Sequence, residues 1–147
     1  MVNSKNSALA RESIFSIGLN CGPEIGVAAT KSFTSQMAIL YKIVNKLCDG
    51  CIDVDFKVIS DAYASILSDV SEIQKLVKDI KEIKNLFVIG RGIHYPIAKE
   101  TALKIKEITY VHAEGIAAGE LKHGPLALMD EFAYVVVINP DDDSYVD

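Results

Sequence analysis

At 147 residues the chain has the length of one ordinary domain, long enough to bury most of a normal core. Half of its residues are hydrophobic and 24% are charged, with no low-complexity tract, which excludes a disordered or fibrous chain. The formal charge of −5 argues against a nucleic-acid partner, although a small anion needs only a few local donors.

In chain order, the amino-terminal "MVNSKNSALARES" is polar and lacks the apolar core of a signal peptide. Residues 13–18, "SIFSIG", read as a short strand. "GPEIG" then breaks the chain, and a helical pattern follows in which Leu40, Ile43, Val44 and Leu47 recur at helical spacing. "CDGC" is a Cys-x-x-Cys pair, but it has no second pair for a zinc site and does not open a helix after a strand. Cys48 and Cys51 are therefore read as free thiols near a helix end. A second helical region is expected over about 54–82, where Ile66, Val70, Ile73, Val77 and Ile80 fall every three or four residues.

"NLFVIG", 85–90, is a short, wholly apolar run ending in glycine, as suits a strand buried on both faces of a parallel sheet. "YPIAKETALKIKEITY" reads as a helix with Pro96 in its first turn. After an irregular stretch, "AYVVVIN" at 133–139 reads as a second buried strand, stopped by Pro140. Strand, helix, excursion and strand make a β-α-β unit, so the expected class is α/β. Two strands of central-sheet type and one weaker one fall short of the roughly five or six in a complete doubly wound domain, and the sheet is expected to be incomplete. "DDDSYVD" lacks the glycine and terminal glutamate of a calcium loop and reads as a solvated tail. No run approaches the roughly 18 to 20 apolar residues of a membrane span, and three cysteines, an odd number, do not suggest a disulfide scaffold. A cytoplasmic protein without a metal or cofactor is expected.

Chemistry has three candidate places. "GRG", Gly90–Gly92, ends a strand, where open α/β sheets bind ligands, but it lacks the full dinucleotide fingerprint and is read first as a plain strand-to-helix turn. On the following helix, residues at 100° intervals put Glu100, Lys104 and Glu107 within about 60° of one another. Leu103 flanks this strip on one side, Ile97 and Ile108 on the other. The strip is either a surface ion pair of small value or a half-buried carboxylate beside a cation, able to act as a base. "AAGELKHGPLAL", 117–128, supplies His123 in a breaker-rich loop, either a surface-turn histidine or a proton-transfer group.

Two stretches carry a resemblance. "GRGIHYPIAKETALKIKEITYVHAEGIAAGELKHGPLAL", 90–128, and "ARESIFSIGLNCGPEIGVAATKSFTSQMAILY", 10–41, resemble the isomerase part of the glucosamine-6-phosphate synthase family, whose isomerase half consists of two sugar-isomerase (SIS) domains. The resemblance implies an SIS-type parallel sheet flanked by helices. Residues 1–52 would be the closing part of a first SIS domain and 53–147 the opening part of a second. It implies that Glu107 is the base moving a proton between sugar carbons 1 and 2, with Lys104 assisting beside it. His123 would open the sugar ring, reaching the site of a neighbouring subunit. Val27, Ala29 and Thr30 would lie along the sugar phosphate, with Ala29 standing where the family often has serine. The implied ligand is fructose 6-phosphate or glucosamine 6-phosphate, and the implied assembly is a homodimer or higher oligomer. No nucleic acid and no membrane are implied. The family's glutaminase, the phosphate loop of its first SIS domain and its Schiff-base lysine have no counterpart in the sequence, so the chain is expected to be inactive alone. Its rivals are a non-catalytic sugar-phosphate-binding or interaction module and another SIS enzyme such as a fructosamine deglycase.

Overall fold

The computed structural model describes residues 1–80 and 82–141, and the chain forms two compact units, Met1–Val70 and Ser71–Asp147.

The first unit holds α1 (Ala8–Glu12), α2 (Lys31–Leu47) and α3 (Phe56–Ser68). Each start has a local cause. The Ser7 hydroxyl accepts from Ala10 N at α1, and the Asp55 carboxylate accepts from Lys57 N and Val58 N at α3. The strand expected at 13–18 does not form. Val2 and Gly18 make only an isolated parallel bridge, through Val2 N to Ile17 O and Leu19 N to Val2 O, both 2.9 Å. A strand needs a ladder along its length, and a single facing residue cannot supply one. Ile14 and Phe15 accordingly stand exposed.

The helical region expected over 54–82 is two helices. Asp69 takes an extended conformation (φ −135°, ψ 103°) and ends α3, and α4 (Ser71–Ile80) begins in the second unit. The two cysteines are also corrected. Cys48 and Cys51 are joined in a disulfide, with Cα atoms 5.4 Å apart. The chain turns tightly enough after α2 to bring them together, because Asp49 and Gly50 both take positive φ.

In the second unit α4 is followed by β1 (Asn85–Gly90), a 3₁₀ turn at Gly92–His94, α5 (Tyr95–Thr109) and β2 (His112–Ala117). Two more 3₁₀ turns, Ala118–His123 and Pro125–Leu128, lead to β3 (Ala133–Ile138). The three strands form a parallel sheet in the order β2-β1-β3, with Val88 opposite Gly115 on one side and Val136 on the other. The class is α/β, as the sequence implied, and the sheet is that of a partial domain.

β1 is central, and its apolar run is buried from Leu86 to Gly90. Leu86 and Val88 pack with Ala98 and Ala102 of α5 and Ala113 of β2 as the core. Phe87 and Ile89, which alternate to the other face, are also buried. Burying each such side chain stabilises by about 1.5–3 kcal/mol.

β2 is a strand that the sequence reading left irregular. "HAEGIA" has no apolar run, and only Ala113 and Ile116 are buried in it. Its small residues serve close approach instead. A Cβ built on Gly115 would stand 2.6 Å from Lys99 Cα and 2.7 Å from Lys99 N, so α5 packs directly on the strand backbone. β3 forms where expected but is not buried. Tyr134, Val135, Val136 and Val137 are 38–60% exposed, because it is an edge strand and residues of both its faces remain partly uncovered. The acidic tail at 142–147 lies outside the described residues.

Candidate functional site

α5 carries the strongest constellation. It starts one turn after Gly90, with Pro96 in its first turn, and stops at Tyr110, which takes the left-handed conformation (φ 61°) and donates its N–H to Lys106 O at 3.1 Å. Ala98 and Ala102 face the sheet. Counting 100° per residue from them, Glu100, Lys104 and Glu107 lie on the opposite side of the helix. Their side chains are nevertheless only 22–28% exposed. The strip is thus half-buried rather than fully exposed.

Within it Lys104 Nζ lies 2.7 Å from Glu107 Oε2 and 3.5 Å from Glu100 Oε1. The hydrogen bond to Glu107 is the main cause that holds the Lys104 ammonium above its usual pKa of 10.5. Burial opposes it, and the charges of Glu107 and Glu100 add to it. Lys104 is therefore a fixed cation, and it orients the Glu107 carboxylate. A carboxylate beside a permanent proton donor suits proton abstraction next to a developing oxyanion.

His123 lies elsewhere. It ends the 3₁₀ turn after β2, is exposed, and precedes Gly124 at φ 141°. α5 leaves the carboxyl end of β1 and runs back to the amino end of the sheet, so Glu107 sits near that end. His123 follows the carboxyl end of β2. The strand between spans about 17 Å at 3.3 Å per residue. The turn that bears His123 stays at the carboxyl end, where its Gly119, Leu121 and Lys122 line a cavity of about 600 Å³ with Gly90, Arg91 and Asn139. This cavity lies where the strand order reverses about β1, the usual ligand position in open α/β sheets. The second unit thus joins Lys104 to Glu107, while His123 belongs to the turn that follows the carboxyl end of β2.

Val27, Ala29 and Thr30 belong to the first unit, in the segment leading into α2, and all three are exposed. Thr30 is the N-cap residue of α2, but its side chain makes no cap bond. Glu24, which the sequence reading did not single out, caps the helix instead. Its Oε1 accepts from Thr30 N at 2.8 Å and Ser32 N at 3.2 Å, and its carboxylate also accepts from the hydroxyls of Thr30 and Ser32. These bonds, the one from the Ser32 hydroxyl foremost, pull the Glu24 carboxyl down to about 2. An anion arriving at Val27–Thr30 meets helix N–H groups already engaged by a carboxylate. The signal in the sequence was an acid six residues before the first hydroxyl of "TKS", farther off than a local cap reaches.

Comparison with known proteins agrees with this architecture. The SIS domain model matches residues 79–145. The glutamine–fructose-6-phosphate aminotransferase [isomerizing] of Aquifex aeolicus is 47% identical over 148 residues, covering 99% of this chain and 25% of the relative. The Rattus norvegicus glutamine–fructose-6-phosphate aminotransferase [isomerizing] 1 is 43% identical over 154 residues, covering 99% of this chain and 23% of its own length. Among solved structures, the C-terminal domain of the Francisella tularensis glucosamine-fructose-6-phosphate aminotransferase matches with a TM-score of 0.79 and 38% identity, covering 97% of this chain and 43% of that one. A phosphosugar isomerase fold from Clostridium difficile matches with a TM-score of 0.66 at 20% identity, a likeness of fold alone. The chain spans about a quarter of the length of the sequence relatives it matches. The chain thus carries a match to the SIS domain over residues 79–145 and is similar along nearly its whole length to one segment of the glutamine–fructose-6-phosphate aminotransferases.

Proposed function

We propose that the chain is the isomerase segment of an enzyme that converts fructose 6-phosphate and glutamine-derived ammonia to glucosamine 6-phosphate. The observation that carries this reading is the half-buried Glu100–Lys104–Glu107 strip on α5, with Lys104 Nζ 2.7 Å from Glu107 Oε2. Glu107 is the base that moves a proton between sugar carbons 1 and 2. Lys104, fixed as an ammonium, stabilises the negative charge that develops on the sugar oxygens. His123 serves ring opening from a neighbouring copy, a role in keeping with its position at the far end of the sheet from Glu107. The working assembly is therefore a homodimer or larger oligomer in the cytoplasm. The sugar phosphate runs along Val27, Ala29 and Thr30, held by groups other than the Thr30 and Ser32 N–H donors that Glu24 engages, and residues 1–52 and 53–147 are parts of two successive SIS domains. Because the chain spans only about a quarter of its relatives' length, the isolated chain forms no product.

The test is to place residues 1–147 in the matching segment of the Aquifex aeolicus relative and to measure glucosamine 6-phosphate formation. The chimera is expected to turn over, and Glu107→Gln to lower its rate by about 10²–10⁴-fold, the usual worth of a positioned general base. A chimera whose rate is unchanged by Glu107→Gln would sink the assignment.

A further inference from the structure

The Cys48–Asp49–Gly50–Cys51 turn lies in the first unit and takes no part in the function just proposed. After the last ordinary helical bond, Cys48 N to Val44 O at 3.0 Å, α2 ends in the 6→1 bond of a Schellman arrangement, Gly50 N to Asn45 O at 2.8 Å. Asp49 holds a left-handed conformation at φ 50°, at the position where glycine is the usual occupant, and Gly50 follows at φ 89°. The disulfide joins the residues on either side of these two, so one covalent bond closes the whole turn. Cys51 is exposed and Cys48 half-buried, and the Cys51 N–H points at Cys48 Sγ from 3.2 Å.

We propose that Cys48–Cys51 is a redox modification site, opened by a soluble dithiol reductant and closed again by exchange with a small-molecule disulfide, which is reduced to its thiols as the pair is oxidised. A thiolate of the dithiol attacks the exposed Cys51 Sγ, and the Cys48–Cys51 bond breaks. Cys48 leaves as a thiolate, is met by the Cys51 N–H and takes a proton from water. The second thiolate of the dithiol then attacks the reductant sulfur of the mixed disulfide. Cys51 is released as a thiolate that is protonated in turn, and the reductant departs as a cyclic disulfide. Two electrons and two protons have passed from the dithiol to the pair.

The position at the helix end decides which form dominates. A Cys-x-x-Cys pair at a helix amino terminus has its thiolate stabilised by the helix dipole and is easily kept reduced. Cys48 caps the carboxyl end instead, where the dipole is negative and the Asp49 carboxylate follows directly in the chain. Lys46 in the last turn of α2, and Lys42 beside the turn, offset this in part. The reduced pair gains little from its surroundings, so the closed form is favoured. A monothiol must also outrun reclosure by Cys48 across a two-residue gap, where the effective concentration is high. A dithiol meets the same competition, but its second thiol resolves the mixed disulfide intramolecularly and carries the reaction forward. Once open, the turn keeps a non-glycine residue in the left-handed region without its covalent closure, and the last turn of α2 frays.

The test combines alkylation mass with hydrogen exchange of the peptide spanning residues 44–52. Without reductant one thiol, Cys21, is expected to alkylate, and after dithiothreitol all three cysteines. A large excess of reduced glutathione should leave the count at one. Reduction should speed exchange at Cys48, Gly50 and Cys51 by about tenfold or more while leaving β1 unchanged. The double variant Cys48→Ser/Cys51→Ser should exchange as fast with no reductant present. Three alkylated thiols in untreated protein would overturn the proposal. So would reduction by glutathione as readily as by the dithiol, or unchanged exchange after the bond is opened.

Discussion

Replacing Gly115 by alanine is the sharpest test of how α5 is seated. The new Cβ would lie 2.6 Å from Lys99 Cα, 2.7 Å from Lys99 N and 3.0 Å from Ala98 C, all backbone atoms of the helix. Carbon atoms rest about 3.5–4.0 Å apart, so α5 must lift by about 1 Å. A gap of that size forfeits a quarter to a half of the dispersion energy between Ala98 and Ala102 and the strands beneath them. Overpacking of this kind costs about 1–3 kcal/mol, and removing a glycine from a strand returns about 0.5–1 kcal/mol. The net expectation is a loss of up to about 2.5 kcal/mol, centred between about 1 and 1.5 kcal/mol. Urea unfolding followed by far-ultraviolet circular dichroism would read this as a midpoint lowered by about 0.5–1 M at an ordinary m-value. Gly119→Ala is the control, since nothing lies within 4 Å of its added Cβ, and it should stay within about 0.5 kcal/mol of the parent. If the two variants unfold at the same urea concentration, the close seating of α5 on β2 is wrong.

Gly90→Ala should be at least as damaging, because its Cβ would overlap the His94 carbonyl oxygen and lie 2.7 Å from His94 C; melting temperatures of the two variants would rank them. Glu24 titrates near 2 in the folded chain against an ordinary value of 4.5, so its capping contribution is present above about pH 4.5 and is lost as pH falls toward 2. Helicity of Glu24→Gln should therefore be lower than that of the parent at pH 7, and the difference should vanish in acid; a constant difference would refute the capping. Lys104 is raised above 10.5, so its ion-pair contribution is full below that pH and fades as pH rises through the raised value. Glu107→Gln should bring the Lys104 titration, followed by NMR of its ε-carbon, back toward 10.5, and an unmoved titration would show that Glu107 is not its partner.

How much of this was legible in the sequence depends on what each pattern encodes. The run Leu86–Gly90 announced a strand covered on both faces, and it is one. The "YVVV" run at 134–137 sent the same signal, yet those residues stand at an uncovered sheet edge, because an apolar run states what a strand could bury and not what covers it. β2 stayed hidden since Gly115 and Ala113 are chosen for helix approach, a demand that leaves no periodicity. The ion-pair strip on α5 was readable because helical spacing alone brings residues 100, 104 and 107 together. The capping of α2 by Glu24 depends on a loop path that spacing does not fix. The disulfide was missed for a related reason, since it needs Asp49 in a conformation glycine usually takes.

The course of α5 back along the sheet has a genetic corollary. With Glu107 near one end of the unit and His123 at the other, a site built from both under the proposed assembly draws them from different chains. In the chimera, Glu107→Gln and His123→Ala would then rescue each other on mixing, because a mixed pair of chains holds one site with both residues intact. Random reassociation of equal amounts would return about a quarter of the sites of a two-fold symmetric dimer. A site completed within a single chain would return none.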